Sequence, residues 1–176
     1  ETTDLAKLTT SQVVALSTSA LNSLLTTQIA ALTTTQVDAL TSSQLSVLSS
    51  SNFAALTTAQ LRAIGTAEFA SLSSTDLNAL STTSVQALST NQIAALTTSQ
   101  ANSLSTTNLT ALTTAQVVKV TTSDLNALST TSLQALLTTQ IAALSTSQVA
   151  ALTTDNLNAF TTNQIVALTT SQVVAL

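Results

Sequence analysis

Cut from Glu1 into octapeptides, the 176 residues give 22 units with no remainder and no insertion. So short a unit cannot bury an apolar face by itself, and a chain built this way must stack its repeats into one continuous core. The consensus reads [Ser/Thr]-[Ser/Thr]-x-Gln-φ-x-Ala-Leu, with φ aliphatic. Position 8 is Leu in 19 of 22 units, the exceptions being Ile64, Val120 and Phe160, and position 5 is large and apolar in 21, with Ala101 the one gap. These two positions form the expected core. Position 7 is Ala in 16 units, which implies close packing, whereas position 6 takes Val14, Asn22, Asp38, Arg62 and Gln86 alike and is expected to face solvent.

A helical and a β-solenoid template compete for this pattern. Ala, Leu and Gln are strong helix formers, and positions 5 and 8 are spaced i, i+3 on one helical face. A β-coil needs frequent tight turns, usually supplied by Gly, Asn or Asp, and the chain holds one glycine, Gly65. The residue types favour helix. It cannot be continuous, because eight residues at about 100° each carry the face roughly 80° beyond two turns. The hydroxyl pairs supply the break. Thr9 with Gln12, Thr33 with Gln36 and Thr169 with Gln172 match the capping box, and the preceding Leu with the φ residue forms the hydrophobic staple. Position 2 is Ser or Thr in all 22 units, while position 1 admits Glu1, Leu25, Gly65 and Leu137, so the cap falls at position 1 or position 2. The expected fold is all-α: a tight, rod-like α-solenoid of 22 octads. Each octad carries one short capped helix of about two turns, roughly 9 Å long. Its interior is read as Leu, Val, Ile and Ala, its exterior as Ser, Thr, Gln and Asn.

Composition narrows the chemistry. With no His and no Cys there is no imidazole base, no thiolate nucleophile and no zinc or iron-sulfur site of the usual kind. Seven acidic residues against three basic ones, Lys7, Arg62 and Lys119, leave no basic footprint for nucleic acid, and 2% aromatic content leaves no platform for stacking bases. No apolar run approaches the roughly 20 residues of a membrane span. The chain is therefore expected not to be an enzyme, and to have no catalytic residue, no cofactor and no metal site.

A longer period overlies the octad. Position 4 reads Asp76, Ser84, Gln92, Gln100, Asn108, Gln116 and then Asp124, Ser132, Gln140, Gln148, Asn156, Gln164, a repeat of 48 residues. Duplication of a block explains it, or else six octads complete a whole number of superhelical turns. Residues 1–176 read as one continuous array with a full-quality repeat at either end, and are expected to be a fragment of a longer array or the protomer of a filament.

Individual residues fit the same frame. Asp4, Glu68, Asp76 and Asp124 occupy position 4 in the first helical turn, where negative charge suits the helix dipole. Lys7 and Lys119 replace Ala at position 7, each expected to bury its stem and wet its head. Phe53, Phe69 and Phe160 are expected in the core, and Gly65 as an N-cap.

The octad, as in Leu8 to Leu16, Leu32 to Leu40 and Leu168 to Leu176, resembles the Leu-[Thr/Ser]-[Thr/Ser]-x-Gln-[Val/Ile]-x-Ala-Leu arrays of very long bacterial secreted or surface proteins of adhesin-like type. That resemblance covers the whole chain and implies an extracellular or cell-surface structural or adhesive role. It carries over no functional residue. The regular hydroxyl array also resembles, in pattern alone, the Thr ladders of ice-binding proteins and the 48-residue period of ice-nucleation repeats, which are Gly-rich as this chain is not. The expected function is that of a secreted repetitive rod in a filament, stalk or surface layer, self-associating head to tail or laterally. The alternative is a binding module that uses its Ser/Thr face against ice, carbohydrate or a host surface.

Overall fold

In a computed structural model that describes residues 1–176, the chain is all-α, with 22 short helices, one per octad, and no strand. It forms two compact units, residues 1–95 and 96–176. The octad architecture is the same in both.

Each helix starts at position 2, so the cap lies at position 1. Thr9, Ser17, Thr33, Thr41 and Ser49 all hold extended N-cap geometry, and the hydroxyl of each accepts the backbone N–H three residues on. Where position 4 is Gln, its Oε1 accepts the N-cap N–H in return, as between Thr57 and Gln60 at 2.7 Å. This is the full capping box. At Leu25 and Leu137 no hydroxyl exists, and only the Gln half survives, with Gln28 accepting from Leu25 and Gln140 from Leu137, both at 2.8 Å.

The helices are shorter than two turns, at four to six residues. They stop early because the chain turns without any left-handed residue: no residue, glycine included, has positive φ. Instead, position 8 and the next position 1 are both extended, as in Leu80 (φ −66, ψ 139) followed by Ser81 (φ −67, ψ 158). Two extended residues between short helices re-aim the chain, and any L-residue can adopt them. That is why one glycine and no proline suffice.

In the first unit, the helix Thr34–Asp38 packs on Thr58–Ala63, and Ser50–Ala54 packs on Ser74–Ala79, three octads apart in each case. In the second unit, Thr98–Ser103 packs on Thr122–Ala127 and Thr106–Ala111 on Thr130–Ala135 at the same spacing. Position-4 side chains reach back four octads in both units, as Gln36 does to Leu5 and Leu8 and Gln140 to Leu109 and Leu112. A turn of either solenoid therefore holds between three and four octads. Six octads fall short of two turns, so the 48-residue period is not a geometric one and reads as duplication.

Position 5 is the most deeply buried. Val13, Val37, Leu45, Phe53, Leu61 and Phe69 in the first unit, and Ile141 and Val149 in the second, have no exposed surface, while position 8 retains a few per cent, as at Leu48 and Leu136. Packing of these side chains across turns sustains helices that are far too short to persist alone. Phe160 is buried with them at position 8.

Candidate functional surface

The exterior departs from the expected composition at position 4. Gln36, Gln44, Gln60, Gln92, Gln140, Gln148, Gln164 and Gln172 are buried, each 4% exposed or less. The reason is geometric. Position 4 of one octad stands over the carboxyl end of the octad four earlier, where the position-8 carbonyl has no backbone partner and the position-5 carbonyl has only the N–H of position 8. Gln60 Nε2 donates to the carbonyls of Ile29 (3.1 Å) and Leu32 (2.6 Å), and Gln164 Nε2 to those of Leu133 and Leu136, both 2.8 Å. With its oxygen in the capping box and its nitrogen on the turn behind, one neutral amide satisfies both helix ends. Glutamate could not replace it, since a carboxylate has no proton to donate.

Asparagine at position 4 does only the backward half of this work, Asn52 reaching the Leu24 carbonyl at 3.2 Å and Asn156 that of Asn126 at 3.1 Å, with no capping box in either octad. Position 6 is also more than a solvated face. Asn22 donates to the Val47 carbonyl and accepts the Ser49 N–H at 2.7 Å, and Asn126 treats Ala151 (2.7 Å) and Thr153 (3.0 Å) likewise. Position 4 reaches back along the chain and position 6 reaches forward.

The acidic residues divide. Asp4 is exposed and pairs with Lys7 (3.4 Å) and with the N-terminal amine (3.5 Å). Asp76 and Asp124 are buried, 3% and 2% exposed. Having no proton for the carbonyls behind them, they turn to hydroxyls instead. Asp76 accepts from Ser73 (2.6 Å) and from Ser50 three octads earlier (2.9 Å), and Asp124 from Thr121 (2.6 Å) and Thr98 (2.8 Å). No three carboxylates come together.

Lys7 and Lys119 are both exposed, and Lys7, with 77% of its side chain in solvent, reaches back to Asp4. Gly65 is an N-cap without a cap bond, as expected, and it has a second role. A Cβ there would lie 2.5 Å from Glu68 Oε2, so the missing side chain makes room for Glu68 to fold back.

Positions 1 to 3 carry the hydroxyls outward. Position 3 is exposed in all 22 octads, including Ser11 and Thr35. Among the exposed apolar side chains, Leu25 (65%) and Leu137 (48%) stand out because each occupies a cap position where a hydroxyl would serve. A shallow groove among Thr34, Thr35, Asp38 and Ala63 marks one stretch of the first unit. In the second unit, Ala101 leaves a small apolar cavity lined by Leu104, Leu109, Val117 and Leu125 among others. At about 10 Å³ and with no polar lining, it stays dry.

Short capped helices stacked through a lattice of side-chain amides define a helical solenoid repeat protein. The pattern of the ALTTAQ repeat matches residues 1–34, 29–58, 69–106, 118–154 and 151–176, leaving only 59–68 and 107–117 outside it. The chain belongs to the ALTTAQ repeat family. No curated protein and no solved structure matches it. No helix is long and apolar enough to cross a membrane.

Proposed function

We propose that the chain is a structural protein: a repetitive secreted rod belonging to an extracellular filament, stalk or surface layer of adhesin-like type. The observation that supports this reading is the position-4 amide, which joins turns by bonding to backbone, as Gln44 does to Val13 and Leu16 at 3.1 and 2.9 Å. Such a contact has no terminus of its own. Every octad offers the same backbone acceptors in one direction, and 15 of the 22 offer a position-4 amide donor in the other, which suits indefinite stacking, within a chain or between copies head to tail. The surface is nearly uncharged, with three cations in 176 residues, so little charge repulsion opposes association and few sites exist for proteases that cut at Lys or Arg.

Electron microscopy of the purified protein at neutral pH, with circular dichroism on the same sample, tests the proposal. Helical dichroism with long uniform filaments is the expected result. Separate short particles at all concentrations would overturn the filament reading, and robust turnover of any substrate would overturn the structural one.

One observation favours a second reading, a surface-binding module: the exposure of position 3 in every octad. Replacing Ser11 and Thr35, with their counterparts, by Ala would abolish adhesion to ice, carbohydrate or cells if that face binds, and would leave a filament intact.

A further inference from the structure

The bonds that join successive turns run from side chain to backbone. Gln60 and Gln140 both donate to the carbonyls of positions 5 and 8 four octads earlier, and every octad carries those two carbonyls. Moved by one whole octad, either Gln meets the same acceptors beside the same kind of apolar side chains. Even the buried carboxylates obey this rule. Their remote donors, Ser50 and Thr98, sit at position 2, which is Ser or Thr in all 22 octads. Two features separate one register from another: side-chain volume, Phe53 and Phe69 filling the core where Ala101 leaves a cavity, and the position-6 amides of Asn22 and Asn126, which accept the N–H of Ser49 and Thr153 in octads whose own position 4 is Asn rather than Gln.

The second observation concerns what holds an octad in place. Helices of four to six residues do not persist alone, no disulfide crosslinks them, and their tertiary contacts go to octads three and four away. Releasing an octad from the edge of a stack forfeits its own amide bonds and apolar contacts. The next octad is then left in the condition of the first.

We propose that the array is an extensible element that yields and recovers by whole octads and has no fixed register. Under load it lengthens by unwinding octads in succession, and on relaxation the freed octads rewind on whichever turn they meet. This holds whether the array serves as a stalk or as a binding surface.

The test is to stretch the full 176-residue chain in an optical trap through a cysteine added at each terminus. One octad adds roughly 26–29 Å of contour, at about 3.3–3.6 Å per residue. The expected trace is a staircase of such increments, or small multiples, at similar forces. Folded lengths after relaxation should differ from cycle to cycle by whole increments. One or two all-or-none ruptures, or a return to a single folded length in every cycle, would overturn the proposal.

A second measurement is independent of the trap. With residues 57–64 deleted, Gln92, which now bonds to Leu61 and Ile64, has to take the carbonyls of Phe53 and Leu56 instead. The melting midpoint should stay within about 3 °C of the parent, while deletion of 57–60 alone, which throws every following Leu out of step, should lower it by more than about 10 °C. Equal losses for the two deletions would show that register is fixed.

Discussion

The side-chain nitrogen of Gln60 lies 2.6 Å from the carbonyl oxygen of Leu32, 28 residues earlier, while its oxygen receives the N–H of Thr57 at 2.7 Å. One uncharged group thus closes the start of its own helix and the end of another. This relationship, repeated along both units, sets how each position of the octad responds to change.

Replacing Gln60 by Ala orphans the Leu32 carbonyl and the Thr57 N–H and leaves the Ile29 carbonyl with the Leu32 N–H alone, so the cost should be about 3 kcal/mol, at roughly 1–3 for each unsatisfied group with partial relaxation. Gln12 makes only the capping bond, to Thr9, and is exposed. Gln12→Ala should therefore cost about 1 kcal/mol or less, and Gln60→Glu should be worse than Gln60→Ala because it sets a carboxylate against two carbonyls. Urea unfolding monitored at 222 nm ranks the three, and equal costs at Gln12 and Gln60 would contradict the lattice.

Ser50 illustrates a hydroxyl with a partner outside its own octad. Ser50→Ala removes one of the two side-chain donors to the buried Asp76 carboxylate and should destabilise by about 2 kcal/mol. Thr58, at the same position of the next octad, is exposed with no such carboxylate, and Thr58→Ala should fall within about 0.5 kcal/mol of the parent. The difference between the two variants in the same unfolding assay is the check.

Ala101→Val should stabilise the second unit by about 1 kcal/mol, because the added methyls enter a dry cavity without displacing water. Calorimetry reads this as a rise in melting temperature. A fall would mean that Leu104 and Val117 have already closed on the gap.

At Leu137 a half-exposed apolar side chain stands where 18 of the 22 octads place a capping hydroxyl. Leu137→Ser adds a hydroxyl acceptor for the Gln140 N–H, which otherwise bonds to the Leu137 carbonyl alone, and should gain about 1 kcal/mol. The same exchange at Leu25, still more exposed, should gain as much, and a loss at both sites would show that these leucines pack against something in the folded state.

Much of this was legible in the octad itself. Hydroxyl and Gln at the spacing of a capping box announced a helix start, and the strict Leu with its aliphatic partner announced the buried face; Thr9 with Gln12 and Val37 with Leu40 are found as that spacing implies. The burial of Gln60 and its kin was not legible. Their partners are backbone carbonyls, which every residue has and no letter of the sequence marks. Asp76 stands in the first helical turn as its position implies, but its burial was hidden for the same reason, since its remote partner, Ser50, looks like any other position 2. The helix ends were drawn too late because two extended residues, rather than a glycine, make the turn, and Leu80 with Ser81 carries no sign of an ending.

The lattice that joins the turns is built almost wholly from carboxamides, and this determines how the material ages. Hydrolysis of a side-chain amide at Gln60 or Asn52 removes one nitrogen and leaves a carboxylate facing carbonyls, turning a donor into an acceptor at a buried joint. Amides are among the more thermolabile side chains. Wear would therefore accumulate at the seams between turns while the apolar core stayed chemically intact, and a long-lived assembly of such chains would fail by delaminating.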